Sequence, residues 1–122
     1  MKFHHILLIS EVTIKGAPVY LGFPAQLKTY IENIYVTGIV SAYNDHGQPC
    51  GLCRARSLTY ITTAGGAYDP RFSFDYLTAM AKEYFGIRET RLIYAECLDI
   101  CGNDPEAILQ SAIDQIERSA DR

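Results

Sequence analysis

The chain has 122 residues, 48% of them hydrophobic and 20% charged, enough for one compact domain over residues 1–122 whose folding buries roughly two-thirds of the unfolded surface. Eleven Lys and Arg against fourteen Asp and Glu give a net charge of −3, and no basic run or stripe supplies the electrostatic footprint of a nucleic-acid binder. Apolar runs such as "ILLI" at 6–9 are far short of a bilayer span and no secretory signal opens the chain, which predicts a soluble, cytoplasmic protein with no membrane partner and with its four cysteines kept as reduced thiols.

In chain order, "FHHILLI" at 3–9 reads as a short strand, followed by an extended piece, "VTIKGAPVY", at 12–20. Only two residues part them, too few for the crossover between parallel strands. Pro24 opens a helix through "PAQLKTYIENIYV", where Leu27, Tyr30, Ile31 and Ile34 recur at helical spacing. Residues 38–53, "GIVSAYNDHGQPCGLC", carry turn residues among isolated apolar ones and predict a loop excursion or a small hairpin.

"SLTYITT" at 57–63 has the β-branched and aromatic content of a buried strand. A helix follows, with Phe74, Leu77, Met80, Ala81, Tyr84 and Phe85 on one face and Gly86 at its end. "TRLIYAECL" at 90–98 is the next strand, and residues 103–119 form a last helix with Asp104 as N-cap and Pro105 at its first position. Leu109, Ile113 and Ile116 mark the inner face of that helix, with Ile108 and Ala112 beside it. Strands alternating with helices on short connections predict an α/β fold, a parallel sheet with flanking helices.

In such sheets ligands bind outside the carboxyl ends of the strands. Two stretches fall there, "GAPVYLGFP" and "TTAGGAYDP". The adjacent glycines Gly65 and Gly66 either shape a turn or leave main-chain N–H groups bare for a flat polar ligand, with Thr62, Thr63 and Tyr68 flanking them. In the first stretch, Tyr20 and Phe23 with Gly22 and two prolines make either core packing or the walls of a planar cofactor's cradle.

Cys50 and Cys53 in "CGLC" match a thiol redox spacing, and with Cys97 and Cys101 they equal in number a four-thiolate zinc site. A redox pair belongs at a helix N-terminus, whereas this one sits in a Gly- and Pro-containing loop before a strand, so no metal site is expected. His4 and His5 point to opposite faces of a strand and His46 lies in a polar turn, which leaves no catalytic triad. Any redox chemistry then belongs to a bound cofactor, with no catalytic side chain.

Taken together, "APVYLGFPAQLKTYIENIYVTGIVSAY", "GLCRA", "YITTAGG" and "FGIRETRLIYAECLDI" resemble the FMN-dependent NADH-azoreductases, a flavodoxin-like branch of the NAD(P)H:quinone oxidoreductases. The resemblance covers residues 16 to 117 and rests on an aromatic loop running into a helix, followed at the right distance by a T-x-G-G loop. It implies that Pro18, Val19, Tyr20, Leu21, Gly22 and Phe23 lie against the isoalloxazine ring, and that Thr63, Ala64, Gly65, Gly66 and Tyr68 meet its polar edge. It also implies FMN as cofactor, NADH or NADPH as electron donor, a quinone or azo compound as small-molecule acceptor, and a homodimer.

The family's Ser-rich phosphate loop has no counterpart before residue 12, and "EVTIKG" at 11–16 has neither its serines nor a following helix. That predicts a truncated flavodoxin-like fold, the carboxyl-terminal half. It also leaves a second expectation open: a non-catalytic remnant serving as an oligomerising or partner-binding module.

Overall fold

The computed structural model describes residues 6–9 and 22–120. His4, His5, the whole extended piece at 12–20, and with it Pro18, Val19 and Tyr20, together with Leu21, of the expected ring contacts lie outside the described residues. Three parallel strands form the main sheet in the order β1 (Ile6–Ile9), β4 (Ser57–Thr63), β5 (Glu89–Ala95). Leu58 stands opposite Ile6 on one side of β4, and Ile61 opposite Ile93 on the other. The intervening excursion is a hairpin, β2 (Ser41–Tyr43) and β3 (Pro49–Gly51), closed by Asn44, whose side-chain oxygen accepts from the amides of His46 and Gln48, each at 2.9 Å.

Alternation along β4 assigns its faces. Leu58, Tyr60 and Thr62 are buried, and between them the chain exposes half-buried residues to the other side. The first face packs under α1 (Ala25–Ile34) and α2 (Phe74–Ala79), where Ile31, Leu77, Ala81, Phe85 and Ile87 join Leu58 and Tyr60 in the larger core cluster. On the second face α3 (Pro105–Ala120) covers Ile93 and Ala95.

The helix after β4 departs from the simple reading. A 310 turn at Pro70–Phe72 precedes α2, and after Ala79 the chain widens into a π-helical stretch, Met80–Phe85. Gly86 ends it in the left-handed conformation at φ 79°, as the sequence predicts. The stripe that reaches the core, Leu77, Ala81 and Phe85, keeps a spacing of four across the junction.

Two expectations need correction. In α3 the inner face is Ile108, Ala112 and Ile116, whereas Leu109 and Ile113 are 39% and 44% exposed. Both stripes are apolar, and neighbouring residues point about 100° apart around the axis, so the sheet beneath decides between them. In β5 the strand stops at Ala95 instead of reaching residue 98, because Cys97 takes φ 60° and turns the chain back toward β4.

The start of α3 follows the sequence. Asp104 accepts from the amides of Glu106 (3.1 Å) and Ala107 (3.3 Å). Asp104→Ala is expected to lower stability by about 1 kcal/mol, seen as a drop of about 4 °C or more in the thermal midpoint. An unchanged midpoint would mean that the cap contributes nothing. Among the described residues, no helix is long and apolar enough to cross a membrane.

Candidate functional site

Because β1, β4 and β5 are parallel, their carboxyl ends share one edge of the sheet. The loops after β4 and β5 meet there, as do the starts of α1 and α2. Thr63 closes β4, and Ala64 donates its amide to the Ala95 carbonyl at 2.8 Å, extending the ladder by one bond. The chain after Cys97 then returns over the glycine loop. Leu98 N donates to Ala64 O (3.3 Å), Asp99 N to Gly65 O (2.9 Å) and Cys97 N to Gly66 O (2.8 Å).

That pattern sorts the polar groups of the loop. The carbonyls of residues 64, 65 and 66 are turned toward the 97–99 segment, while the amides of Gly65 and Gly66 donate to no group among the described residues. Neither glycine has a left-handed φ, so the turn itself does not demand them. Their reasons differ. A Cβ added at Gly66 would meet nothing within 4 Å, whereas one at Gly65 would run into the Asp99 carboxylate. Gly66 faces open space and Gly65 seats a side chain.

Tyr68 is held from three sides. Its amide donates to Glu96 Oε2 (2.8 Å), its hydroxyl pairs with the buried Ser73 Oγ (2.6 Å), and its ring stacks on Tyr94 with centroids 5.2 Å apart. Burial is the main cause that raises its phenol above the usual 10.0, opposed in part by the Ser73 hydrogen bond. A raised pKa means that the folded state resists ionisation, so this contribution to stability is complete below pH ~10 and is lost as pH climbs above it. Tyr68→Phe is therefore expected to flatten the fall in thermal midpoint between about pH 9 and 11; an equally steep fall in both proteins would contradict it.

At the start of α1, Gly22 and Phe23 are half-buried, and the Phe23 ring lies 5.6 Å from that of Tyr76. Lys28 donates to the Tyr76 hydroxyl at 2.9 Å and pairs with Glu32 at 3.3 Å. The Tyr76 hydrogen bond, then Glu32, hold its ammonium above the usual lysine range. The described sequence-predicted residues thus gather at one sheet edge. Lys28, Tyr76, Glu96 and Asp99 join them without having been singled out. Asp99 follows a strand's carboxyl end and was findable by that rule, whereas Lys28 and Tyr76 are 48 positions apart and no spacing connects them.

The hairpin thiols take no part in this edge. Cys50 and Cys53 belong to β3 and the strand's exit, and all four cysteines carry free thiols, Cys50 and Cys101 exposed.

Comparison with known proteins decides the family. The family described as "Flavodoxin-like fold" matches residues 7–120. This chain belongs to it. Among this flavodoxin-like chain's relatives, the FMN-dependent NADH:quinone oxidoreductase of Caldicellulosiruptor saccharolyticus is 34% identical over 128 residues, covering 100% of the chain and 63% of that protein. FMN-dependent NADH:quinone oxidoreductase 2 of Clostridium acetobutylicum is 34% identical over 131 residues, covering 98% of the chain and 65% of that protein. The crystal structure of an FMN-dependent NADH-azoreductase from Bacillus anthracis in complex with FMN superposes with a TM-score of 0.78 at 24% identity, over 98% of this chain and 55% of that one. The chain therefore spans less than two thirds of the length of these relatives.

The glycine loop fits a flavin by its donor set. Two amides at the carboxyl end of the central strand, unbonded among the described residues and one of them beside open space, suit the carbonyl-bearing edge of an isoalloxazine.

Proposed function

We propose that the chain forms the flavin-edge half of an FMN-dependent NAD(P)H oxidoreductase that reduces a quinone or azo compound. The observation that carries this reading is the pair of amides at Gly65 and Gly66, without a partner among the described residues, set where parallel sheets bind ligands and with the carbonyls of residues 64 to 66 turned toward the 97–99 segment. The descriptions of the matched oxidoreductases support it. When bound, FMN would accept hydride from NADH or NADPH and pass electrons to the acceptor.

The chain's own residues hold and shield. The amides of Gly65 and Gly66 donate to the flavin edge, and hydrogen bonds to carbonyls that gain negative charge on reduction strengthen as that charge develops. Phe23, backed by Tyr76, forms an apolar wall at the start of α1. Lys28, fixed by Tyr76 and Glu32, places a positive charge on the same side of the sheet edge. No side chain need act as nucleophile.

The assembly we infer is a homodimer in the cytoplasm, with neither nucleic acid nor membrane as partner. Ile39, Tyr43 and Leu52 on and beside the hairpin are all exposed, an apolar surface of the kind that pairing covers. Four free thiols suit a reducing compartment. Gel filtration of the purified chain with added FMN, followed by its visible spectrum and NADH oxidation with a quinone, tests the activity. Co-eluting flavin with a perturbed spectrum and quinone-dependent NADH loss is expected; flavin eluting apart from the protein, with no NADH oxidised, would contradict it.

A further inference from the structure

The donors and acceptors at the glycine loop do not yet balance. The imide edge of a flavin presents a carbonyl, an N–H and a second carbonyl, so a complementary surface needs a donor, an acceptor and a donor. Gly65 and Gly66 supply N–H groups. Their own carbonyls, and that of Ala64, already accept from Asp99, Cys97 and Leu98 and are turned toward those residues. Among the described residues of the loop, an acceptor for the imide N–H is left to a side chain, and an unmatched N–H at a desolvated edge forfeits much of what the two donors gain.

Two carboxylates of the segment after β5 stand at the loop, Asp69 within the loop's own stretch being paired with Arg71. Glu96 is engaged, receiving the Tyr68 amide at 2.8 Å. Asp99 is not: among the described residues no cation or hydroxyl bonds its carboxylate, which lies against the Cα of Gly65 on the side where any other residue would carry its Cβ. The backbone fixes it there, because Asp99 N donates to Gly65 O at 2.9 Å and the left-handed Cys97 two residues earlier aims the turn. Glycine at 65 is thus the condition for seating this carboxylate.

We propose that Asp99 is the acceptor for the imide N–H of the flavin, the specificity-determining group that completes a donor–acceptor–donor edge with Gly65 and Gly66. This rests on the flavin reading above and adds to it a requirement for a free imide N–H. Ligands with the same acceptor–donor–acceptor edge fit, and those with a blocked N–H do not. A charge-assisted bond of this kind is stronger than one between neutral groups.

The test uses the full chain with lumiflavin, which lacks the phosphate and ribityl groups, and with 3-methyllumiflavin, in which a methyl replaces the imide hydrogen. Binding is read from flavin fluorescence. The wild-type chain is expected to prefer lumiflavin by roughly tenfold or more. Asp99→Ala should bind lumiflavin more weakly and lose the preference to within about twofold. Asp99→Asn keeps a carbonyl acceptor and should retain a preference between the two. Asp99 is exposed, and circular dichroism of each variant checks that the fold is kept. Wild-type binding of both flavins with equal affinity, or a preference that survives Asp99→Ala, overturns the role of Asp99 while leaving the flavin reading in place. Failure of the wild-type chain to bind lumiflavin at any accessible concentration overturns both.

Discussion

Replacing Gly51 by alanine is expected to lower the unfolding free energy by about 3 kcal/mol. At the end of β3 the hairpin crosses the exit of the π-helical stretch so closely that a Cβ at residue 51 would overlap the backbone of Phe85 and Gly86. A flexible side chain could swing away from such an overlap, but here both partners are main chain. The crossing is also pinned, since Cys53 N donates to Phe85 O at 3.0 Å and Leu52 N to Val40 O at 2.8 Å. Gly86 in turn needs its φ of 79° to end the helix, which leaves it no freedom to retreat. Urea unfolding should show a lower midpoint at an unchanged slope. A loss below about 0.5 kcal/mol would mean that the hairpin is not held against the helix end.

The second large effect falls on binding and spares the fold. Gly66→Ala places a methyl group in open space at a residue whose φ suits any amino acid, so stability should stay within about 0.5 kcal/mol or rise slightly. Flavin affinity should fall by roughly tenfold or more, because the methyl stands beside the amide that has to approach the ring edge. Gly65→Ala has a different signature. Its methyl displaces the Asp99 carboxylate and with it the turn that holds residues 97–99 over the loop, so stability and affinity should fall together. If Gly66→Ala lost stability and left flavin affinity unchanged, the glycine pair would be a turn and nothing more.

The contrast between these two glycines shows where the sequence stops being informative. Adjacent glycines after a strand announce a special backbone, but that Gly65 accommodates Asp99 depends on a segment 34 positions later, brought there by the left-handed Cys97. Strand β4 was legible at both ends, because "SLTYITT" is a β-branched run whose alternate residues all find partners in a buried central strand. Asp104 before Pro105 was legible for the same local reason, a cap and its first turn being contiguous in the chain. The face of α3 was not. Ile108, Ala112 and Ile116 make a stripe as apolar as Leu109 and Ile113, and the choice is made by Ile93 and Ala95 on a strand the helix pattern does not contain. The π-helical stretch left no trace in residue types, since Leu77, Ala81 and Phe85 keep ordinary helical spacing across it.

The flavin-edge role of the glycine loop is tested most directly by titrating FMN into the isotopically labelled chain and following its backbone amide resonances. The resonances of Gly65 and Gly66 should move furthest and saturate together with the change in flavin fluorescence, with Asp99 and Tyr68 shifting less. Saturable flavin binding that leaves the Gly65 and Gly66 amides unmoved, or no binding at all, would contradict the account.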